Sequence, residues 1–214
     1  IVNETIYVEA GETLTIGPNV TVLLDQGCSI VVNGTLVVDG SATHPVVFDA
    51  NLTSSTWYGI ELNENSTAVI DHAVFRNATA AIEASDCVVT ITNSRFISLG
   101  NLAPIYADFQ ERGSIIVDGC YIEANSANEE EGAITVFVSA TSSGEFTNVT
   151  EISIMITDNE IISACDYCTI YIKMTSSAEE NATASIIGDI LISGNTVNED
   201  ALSSDLIAFQ VEVV

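Results

Sequence analysis

Residues 133–165 read AITVFVSATSSGEFTNVTEISIMITDNEIISAC, and residues 169–201 read TIYIKMTSSAEENATASIIGDILISGNTVNEDA. The two stretches say nearly the same thing twice, and a third begins at residues 206–214, LIAFQVEVV. Thirty-six residues separate Ile134 from Ile170, and thirty-six separate Ile156 from Ile192. A fixed period of this size marks units that cannot bury their apolar faces alone and so stack on one another. The third unit is only a strand, which leaves an apolar edge at one end of the stack.

Working outward, a shorter signature recurs through the middle of the chain. Five segments carry an apolar residue, a polar corner, and a second apolar residue five positions on. They are Ile70-Asp-His-Ala-Val-Phe75, Ile91-Thr-Asn-Ser-Arg-Phe96, Val117-Asp-Gly-Cys-Tyr-Ile122, Ile156-Thr-Asp-Asn-Glu-Ile161 and Ile192-Ser-Gly-Asn-Thr-Val197. Each is followed by another short strand: AAIEA, PIYADF, AITVFV, TIYIKM and LIAFQV. Asn, Asp, Gly and Ser suit a sharp corner because they tolerate left-handed backbone or bond their own main chain. Stacking one corner on the next about 4.8 Å away would align the flanking Ile, Val and Phe in columns. A β-sandwich also offers short strands and turns, but it does not call for a strand–corner–strand unit repeated in sequence order.

The rest of the chain agrees. Segments such as TIYVEA, VTVLLD, SIVVN and TLVVD are short and rich in Val, Ile and Thr, and Gly, Asn, Asp or Ser breaks them. No window of a dozen residues holds a helical apolar stripe. The three prolines, at 18, 45 and 104, lie at segment edges. Hydrophobic residues make up 47% of the 214, enough for a continuous core, yet no apolar run reaches the ~20 residues of a membrane helix.

The stretch GETLTIGPNVTVLLDQGCSIVVNGTLVVDGSATHPVVFDA (11–50) resembles the opening coils of right-handed parallel β-helix proteins, the pectate-lyase-like superfold. Its part NGTLVVDGSATHPVVFDA, followed by WYGIEL, is similar to secreted bacterial and archaeal surface members. The resemblance implies an all-β right-handed parallel β-helix, one solenoid domain over 1–214 with no evident helical cap. Residues 1–63 are the opening coils, 64–132 the regular coils and 133–214 two longer coils with sequon-bearing inserts and an open terminal strand. A fold of this kind implies no activity by itself.

Charge narrows the function classes. The net charge is −26, and Arg76, Arg95, Arg112 and Lys173 are the only Lys or Arg. Phosphate recognition needs clustered Lys and Arg, so nucleic acid is excluded, and anionic membranes would repel the chain. Eight of the sixteen asparagines, Asn3, Asn19, Asn33, Asn51, Asn65, Asn77, Asn148 and Asn181, stand in N-x-T. That density predicts an exported protein carrying N-glycans, with Ile1 following a removed signal peptide and the mature chain extracellular or at the cell surface. Asn33, in VVNGTLVV, also fits a tight turn between strands. The inserts 139–150 and 175–184 read as glycosylated surface loops.

Export makes disulfides reasonable among Cys28, Cys87, Cys120, Cys165 and Cys168, with one thiol left free or paired between chains. The single C-x-x-C at 165–168 lacks the second pair or histidines of a zinc site and the βαβ context of a redox motif.

Catalytic patterns are sparse. β-Helix enzymes that cleave acidic polysaccharides use clustered Asp with His and Arg or Lys, or bound calcium with a basic residue. This chain has no NTD, paired-Asp, GHG or RIK pattern. Asp71-His72 is the nearest pair and reads as a corner dipeptide. Arg76 and Arg95 read as partners of Asp71 or a neighbouring acid. Trp57 and Tyr58 suit either packing or a sugar platform. The run Asn128–Glu131 suits a solvated loop, with Ca2+ or an inter-subunit contact as alternatives; no other cofactor is indicated.

Solenoid ends need covering, and neither terminus reads as a helix. The expected edge residues are Ile6 and Val8 at one end and Leu206, Ile207, Phe209, Val211 and Val213 at the other. The sequence therefore predicts a non-enzymatic structural subunit whose partner is itself, stacking head to tail into a filament, sheath or S-layer-like array. The alternative is a secreted carbohydrate-active or glycan-binding β-helix.

Overall fold

The computed structural model describes every residue except 53–54, 98, 101, 126–130, 144–146, 165–167, 180–181, 200–204 and 214, and the backbone alone of Cys168, Glu199, Asp205 and Leu206. The described residues contain strands and no α-helix. The chain is an all-β right-handed parallel β-helix. Its first coil is β1 (Ile6–Val8), β2 (Thr13–Ile16) and β3 (Thr21–Leu24); the second is β4 (Ser29–Val32), β5 (Thr35–Asp39) and β6 (Val46–Ala50). The third is β7 (Gly59–Leu62), β8 (Thr67–Asp71) and β9 (Ala73–Arg76); the fourth is β10 (Ile82–Ser85), β11 (Val88–Thr92) and β12 (Arg95–Ile97). The fifth is β13 (Ile105–Phe109), β14 (Arg112–Asp118) and β15 (Tyr121–Ala124); the sixth is β16 (Ile134–Ser142), β17 (Thr147–Thr157) and β18 (Glu160–Ser163). The seventh is β19 (Cys168–Ala178), β20 (Thr183–Ser193) and β21 (Thr196–Glu199), and β22 (Asp205–Val213) begins an eighth.

Every third strand pairs in parallel, giving three sheets. Sheet 1 runs from β1 to β22 and has eight strands; sheet 2 runs from β2 to β20, sheet 3 from β3 to β21, and each has seven. One unbroken column of isoleucine runs up sheet 1: Ile6, Ile30, Ile60, Ile82, Ile105, Ile134, Ile170 and Ile207 are successive register partners. A β-branched side chain fits the pleat and packs on its copy in the next coil. The pairs Ile134↔Ile170 and Ile156↔Ile192, read from the period, are register partners.

The five hexads stack as expected. Their first residues, Ile70, Ile91, Val117, Ile156 and Ile192, form one column of sheet 2. Their last residues, Phe75, Phe96, Ile122, Ile161 and Val197, form one column of sheet 3. Phe48, Phe75 and Phe96 stack face to face with centroids 5.0 and 4.9 Å apart, and Trp57 closes the series at 6.1 Å.

The corner itself explains the polar residues. The third residue of each hexad is left-handed: His72 (φ 49°), Asn93 (50°), Gly119 (61°), Asp158 (53°) and Gly194 (69°). Gly, Asn and Asp pay least for that conformation. In three of the five hexads the fourth residue accepts from the main chain of the coil before it. Ser94 Oγ accepts the Ala73 N–H at 3.0 Å, Asn159 Oδ1 accepts the Cys120 N–H at 2.9 Å, and Asn195 Oδ1 accepts the Asn159 N–H at 3.0 Å. Asn159 Nδ2 and Asn195 Nδ2 donate to the carbonyls of Val117 and Ile156. These side chains satisfy main-chain groups that the sharp turn removes from the ladders.

One expectation is overturned here. Most of the residues of the two inserts are strand rather than surface loop: β16 and β17, and β19 and β20, run on past the corner between sheets 1 and 2. The extensions bury small residues, with Ala140, Ser142 and Thr150 at 1%, 5% and 0% exposure. Thr150 Oγ1 lies 2.8 and 2.9 Å from the carbonyls of Gln110 and Ser139.

Candidate functional site: the C-terminal face of the stack

The interior columns end differently at the two ends. In the first coil Val8, Ile16 and Leu24 are buried. Val2 adds a bridge beside β3, donating its N–H to Leu23 and accepting one from Asp25. In the last coil Ile207 is 48%, Phe209 51%, Val211 60% and Val213 79% exposed. Ile190, Ile192 and Val197 are only partly buried. The outer edge of β22 carries a row of main-chain donors and acceptors that no described strand pairs. Of the expected edge residues, then, Ile207, Phe209, Val211 and Val213 present apolar surface, Ile6 is half-buried and Val8 is buried. The side chain of Leu206 lies outside the described residues.

The sequons divide by geometry. Asn3, Asn19 and Asn65 are exposed; Asn33, Asn51, Asn77 and Asn148 are half-buried. Asn181 lies outside the described residues. Asn19, Asn65 and Asn77 are left-handed corners. Asn51 Nδ2 donates to Asp25 at 2.8 Å and Asn77 Nδ2 to Asp49 at 2.7 Å, while Asn33 accepts from Asn63 at 2.9 Å between β4 and β5. The following threonines Thr21, Thr35, Thr67 and Thr183 each open a strand. A corner asparagine and a strand-opening threonine two residues on are therefore a structural source of N-x-T in this fold.

Cys28, Cys87 and Cys120 are free thiols, which corrects the disulfide expectation for these three. They sit at different corners, before β4, β11 and β15, each buried in its own coil. Cys120 occupies the hexad position that Ser94 and Asn159 hold elsewhere, and its thiol donates to the Asp118 carbonyl at 3.4 Å. Burial pushes the Cys87 thiol up to about 11 and the Cys120 thiol up to about 12, so neither is a reactive thiolate near neutral pH. Cys165 and the Cys168 side chain lie outside the described residues.

Asp71 and His72 are 2.8 Å apart. Asp71 also accepts from Thr92 and Asn93 at 2.7 and 2.9 Å. Burial raises its pKa, but the hydrogen bonds from Asn93, Thr92 and His72 outweigh that and leave it lowered. His72 is a left-handed corner, so the pair belongs to the fold. The expected arginine pairs are not made: among the described residues Arg76 and Arg95 form no ion pair, and Arg95 lies over the Tyr121 ring at 4.9 Å. Trp57 is buried and donates from Nε1 to the Arg76 carbonyl at 2.8 Å, whereas Tyr58 is 57% exposed.

Tyr58 borders a depression of about 260 Å³ with Glu61 and Glu83, register partners on β7 and β10. Burial, then Glu61 and Glu131, push the Glu83 carboxyl up. Of the run Asn128–Glu131, only Glu131 is described; its carboxylate accepts the Ala103 N–H at 3.0 Å. A groove of about 400 Å³ follows the corner between sheets 1 and 2, lined by Asn65, Asp86, Cys87, Arg112 and Glu151 among others. Arg112 spans it to Asn65 Oδ1 at 3.1 Å, and Asp86 Oδ1 accepts the N–H groups of Gln110, Glu111 and Arg112. Among the described residues no three His, Cys, Asp or Glu side chains are grouped to hold a metal ion.

Sequence reasoning missed the outer face of sheet 2. Two outward columns run its length: Thr13, Thr35, Thr67, Val88, Ser114, Ser153, Asp189, and Thr15, Val37, Val69, Thr90, Ile116, Met155, Leu191. Asp189 is their only charge. Beside them the outward side of sheet 2 carries Asp39, Asp71, Asp118, Arg112 and Glu151; sheet 1 shows Glu61, Glu83 and Asp108, and sheet 3 shows Asp49, Arg76, Arg95, Glu123 and Glu160. Comparison of the chain with family models, with curated proteins and with solved structures finds no match.

Proposed function

We propose that this chain is a non-enzymatic structural subunit of the pectate-lyase-like β-helix kind, built to assemble through the ends of its stack. The observation that carries the reading is the C-terminal face. Ile207 and Phe209 continue columns that are buried in every coil from the second to the seventh, yet they stand half-exposed beside an unpaired nine-residue strand. Fully burying such side chains is worth about 1.5–3 kcal/mol each, and a covered edge also gains main-chain pairs. The arrangement that continues the isoleucine column sets Ile6 and Val8 of a second copy against Ile207 and Phe209, a head-to-tail contact that does not close and so grows a filament or array. Dense N-x-T and the acidic surface support an extracellular or cell-surface setting with N-glycans.

Electron microscopy and sedimentation of the purified chain test this directly. Rods or arrays are expected, and Phe209→Glu with Val211→Glu should reduce them to single particles. A wild-type chain that is strictly monomeric, with fast amide exchange along 207–213, would sink the proposal.

A second reading, a carbohydrate-active protein, draws support from the Tyr58–Glu61–Glu83 depression, where burial, then Glu61 and Glu131, push the Glu83 carboxyl up. Turnover of a neutral polysaccharide that Glu83→Gln abolishes would favour it over assembly.

A further inference from the structure

The described asparagines of the N-x-T tripeptides fall into two groups that the tripeptide itself does not separate. Asn3, Asn19 and Asn65 are exposed, and among the described residues the side chains of Asn3 and Asn19 make no hydrogen bond. Asn65 has only surface contacts, donating to Glu64 at 2.8 Å and accepting from Arg112 at 3.1 Å. The others are built into the stack. Asn51 Nδ2 donates to Asp25 of the preceding coil and Asn77 Nδ2 to Asp49, at 2.8 and 2.7 Å. Asn33 Oδ1 accepts from Asn63 of the next coil at 2.9 Å. Asn148 Nδ2 donates to the Thr141 carbonyl at 3.0 Å, and Thr150 of its tripeptide is fully buried, with its hydroxyl between two carbonyls.

We propose that the folded chain accepts N-linked sugar at Asn3, Asn19 and Asn65, and that Asn33, Asn51, Asn77 and Asn148 are closed to it by the contacts that hold their amides or threonines. This partition rests on the proposed N-glycan setting and narrows it to named positions. The chemistry of the transfer decides between the groups. Asparagine Nδ2 attacks C1 of a sugar carried on a lipid phosphate donor. The C1–N bond forms, the C1–O bond to phosphate breaks, the lipid phosphate leaves and Nδ2 loses one proton. The nitrogen must be free to turn toward the donor, and the acceptor must lie on the surface because the sugar is bulky and solvated. Hydrogen bonds to a carboxylate are roughly twice as strong as neutral ones, so the amides of Asn51 and Asn77 are held where they would have to move. The threonine hydroxyl is the second element of the tripeptide. Thr21 beside Asn19 is exposed, whereas the Thr150 hydroxyl is spent inside the strand extension.

Loss of one carboxylate should act locally. Asp25 holds Asn51 and Asp49 holds Asn77, each across a single pair of coils. Asp25→Ala should therefore open Asn51 and leave Asn77 closed, and Asp49→Ala should do the reverse. A general loosening of the stack would open both together.

The experiment uses the full chain made in a host without N-glycosylation, an oligosaccharyltransferase and a lipid-linked oligosaccharide. Synthetic peptides of each tripeptide are the unfolded reference. Mass spectrometry of the digest reads the rate at each asparagine, and circular dichroism checks that every variant is folded. Relative to their own peptides, Asn3, Asn19 and Asn65 of wild type should react faster than Asn33, Asn51, Asn77 and Asn148 by about tenfold or more, the scale of one charge-assisted hydrogen bond. Asp25→Ala should raise the rate at Asn51, and Asp49→Ala that at Asn77, by about the same factor. Wild-type Asn51 or Asn77 reacting as fast as Asn19 overturns the proposal. So does a folded chain whose Asn3 and Asn19 stay bare while their peptides react, or a folded variant in which the released asparagine stays closed. Sugar absent from native material would refute the N-glycan setting, whereas the partition is read from the enzyme assay, so the two fail separately.

Discussion

The first and last coils are built from the same columns and finish in opposite ways. The first coil ends in strands of three and four residues, with Val8, Ile16 and Leu24 at 3%, 8% and 0% exposure and Val2 bridging beside β3. Strands β20 and β22 at the other end are eleven and nine residues long, with Phe209 at 51% exposure. Short strands are one way proteins blunt a sheet edge, whereas long apolar ones invite pairing. The difference teaches that the first coil closes over its core, while the last described coil leaves apolar side chains exposed. It also limits the proposed head-to-tail contact: three-residue β1 can cover only the first part of nine-residue β22.

The largest effect expected from breaking this contrast is in the first coil. Leu24 is fully buried, so Leu24→Ala should cost about 2–5 kcal/mol, read as a fall in the urea midpoint. A cost below about 1 kcal/mol would show that the first coil is as loose as the last.

Alkaline pH probes the inner coils. Burial raises the Cys87 and Cys120 thiols to about 11 and 12 from an ordinary 9. Below pH 9 both states keep the protons and stability is unaffected. Above it the unfolded chain loses protons that the folded chain retains, so stability falls as pH rises. Between pH 8 and 10.5 each thiol should contribute a loss on the order of 2 kcal/mol. Cys120→Ser should remove its share of that loss, and unchanged pH dependence in this variant would refute the assignment.

The corner asparagines sharpen the comparison at a smaller scale. Asn159 is buried and holds both the Cys120 N–H and the Val117 carbonyl. Asn159→Ala should cost about 1–3 kcal/mol because those groups stay buried without partners. Asn195 makes the equivalent bonds one coil nearer the open end, where water can replace it, so Asn195→Ala should cost less. Equal costs would mean that the seventh coil excludes water as well as the sixth does.

The fold was legible because its two strongest signals are local. Ile134–Ile170 and Ile156–Ile192 gave the register outright, and the hexads located the left-handed corners at His72, Asn93, Gly119, Asp158 and Gly194, though not those at Asn77 and Asp86. The strand extensions were hidden because they bury Ala140, Ser142 and Thr150 rather than large apolar residues, leaving no visible alternation. The sequons have a second source for a related reason: corner geometry alone favours Asn followed by a strand-opening Thr, as at Asn65 and Thr67. The candidate edge at Ile207–Val213 was readable as an unpartnered strand. The outward Val and Thr columns of sheet 2 were not, because coil lengths vary from twenty-two residues (Ile60 to Ile82) to thirty-seven (Ile170 to Ile207). Only the stacked register brings Val69, Thr90 and Ile116 into one column.

The smallest effect is also the most direct measure of the contrast between ends. Ile207 belongs to the same column as the fully buried Ile170, but it is 48% exposed. In dilute, unassembled chain Ile207→Ala should therefore cost less than about 1 kcal/mol, near the range of ordinary surface changes. When the C-terminal face is covered, the same substitution removes buried apolar area and should weaken assembly instead. The two readings come from one variant: the urea midpoint of the monomer and the concentration at which rods appear. A midpoint that drops as far as for a fully buried isoleucine such as Ile82→Ala would mean that the last coil is already closed, and the proposed assembly face would have to be sought elsewhere.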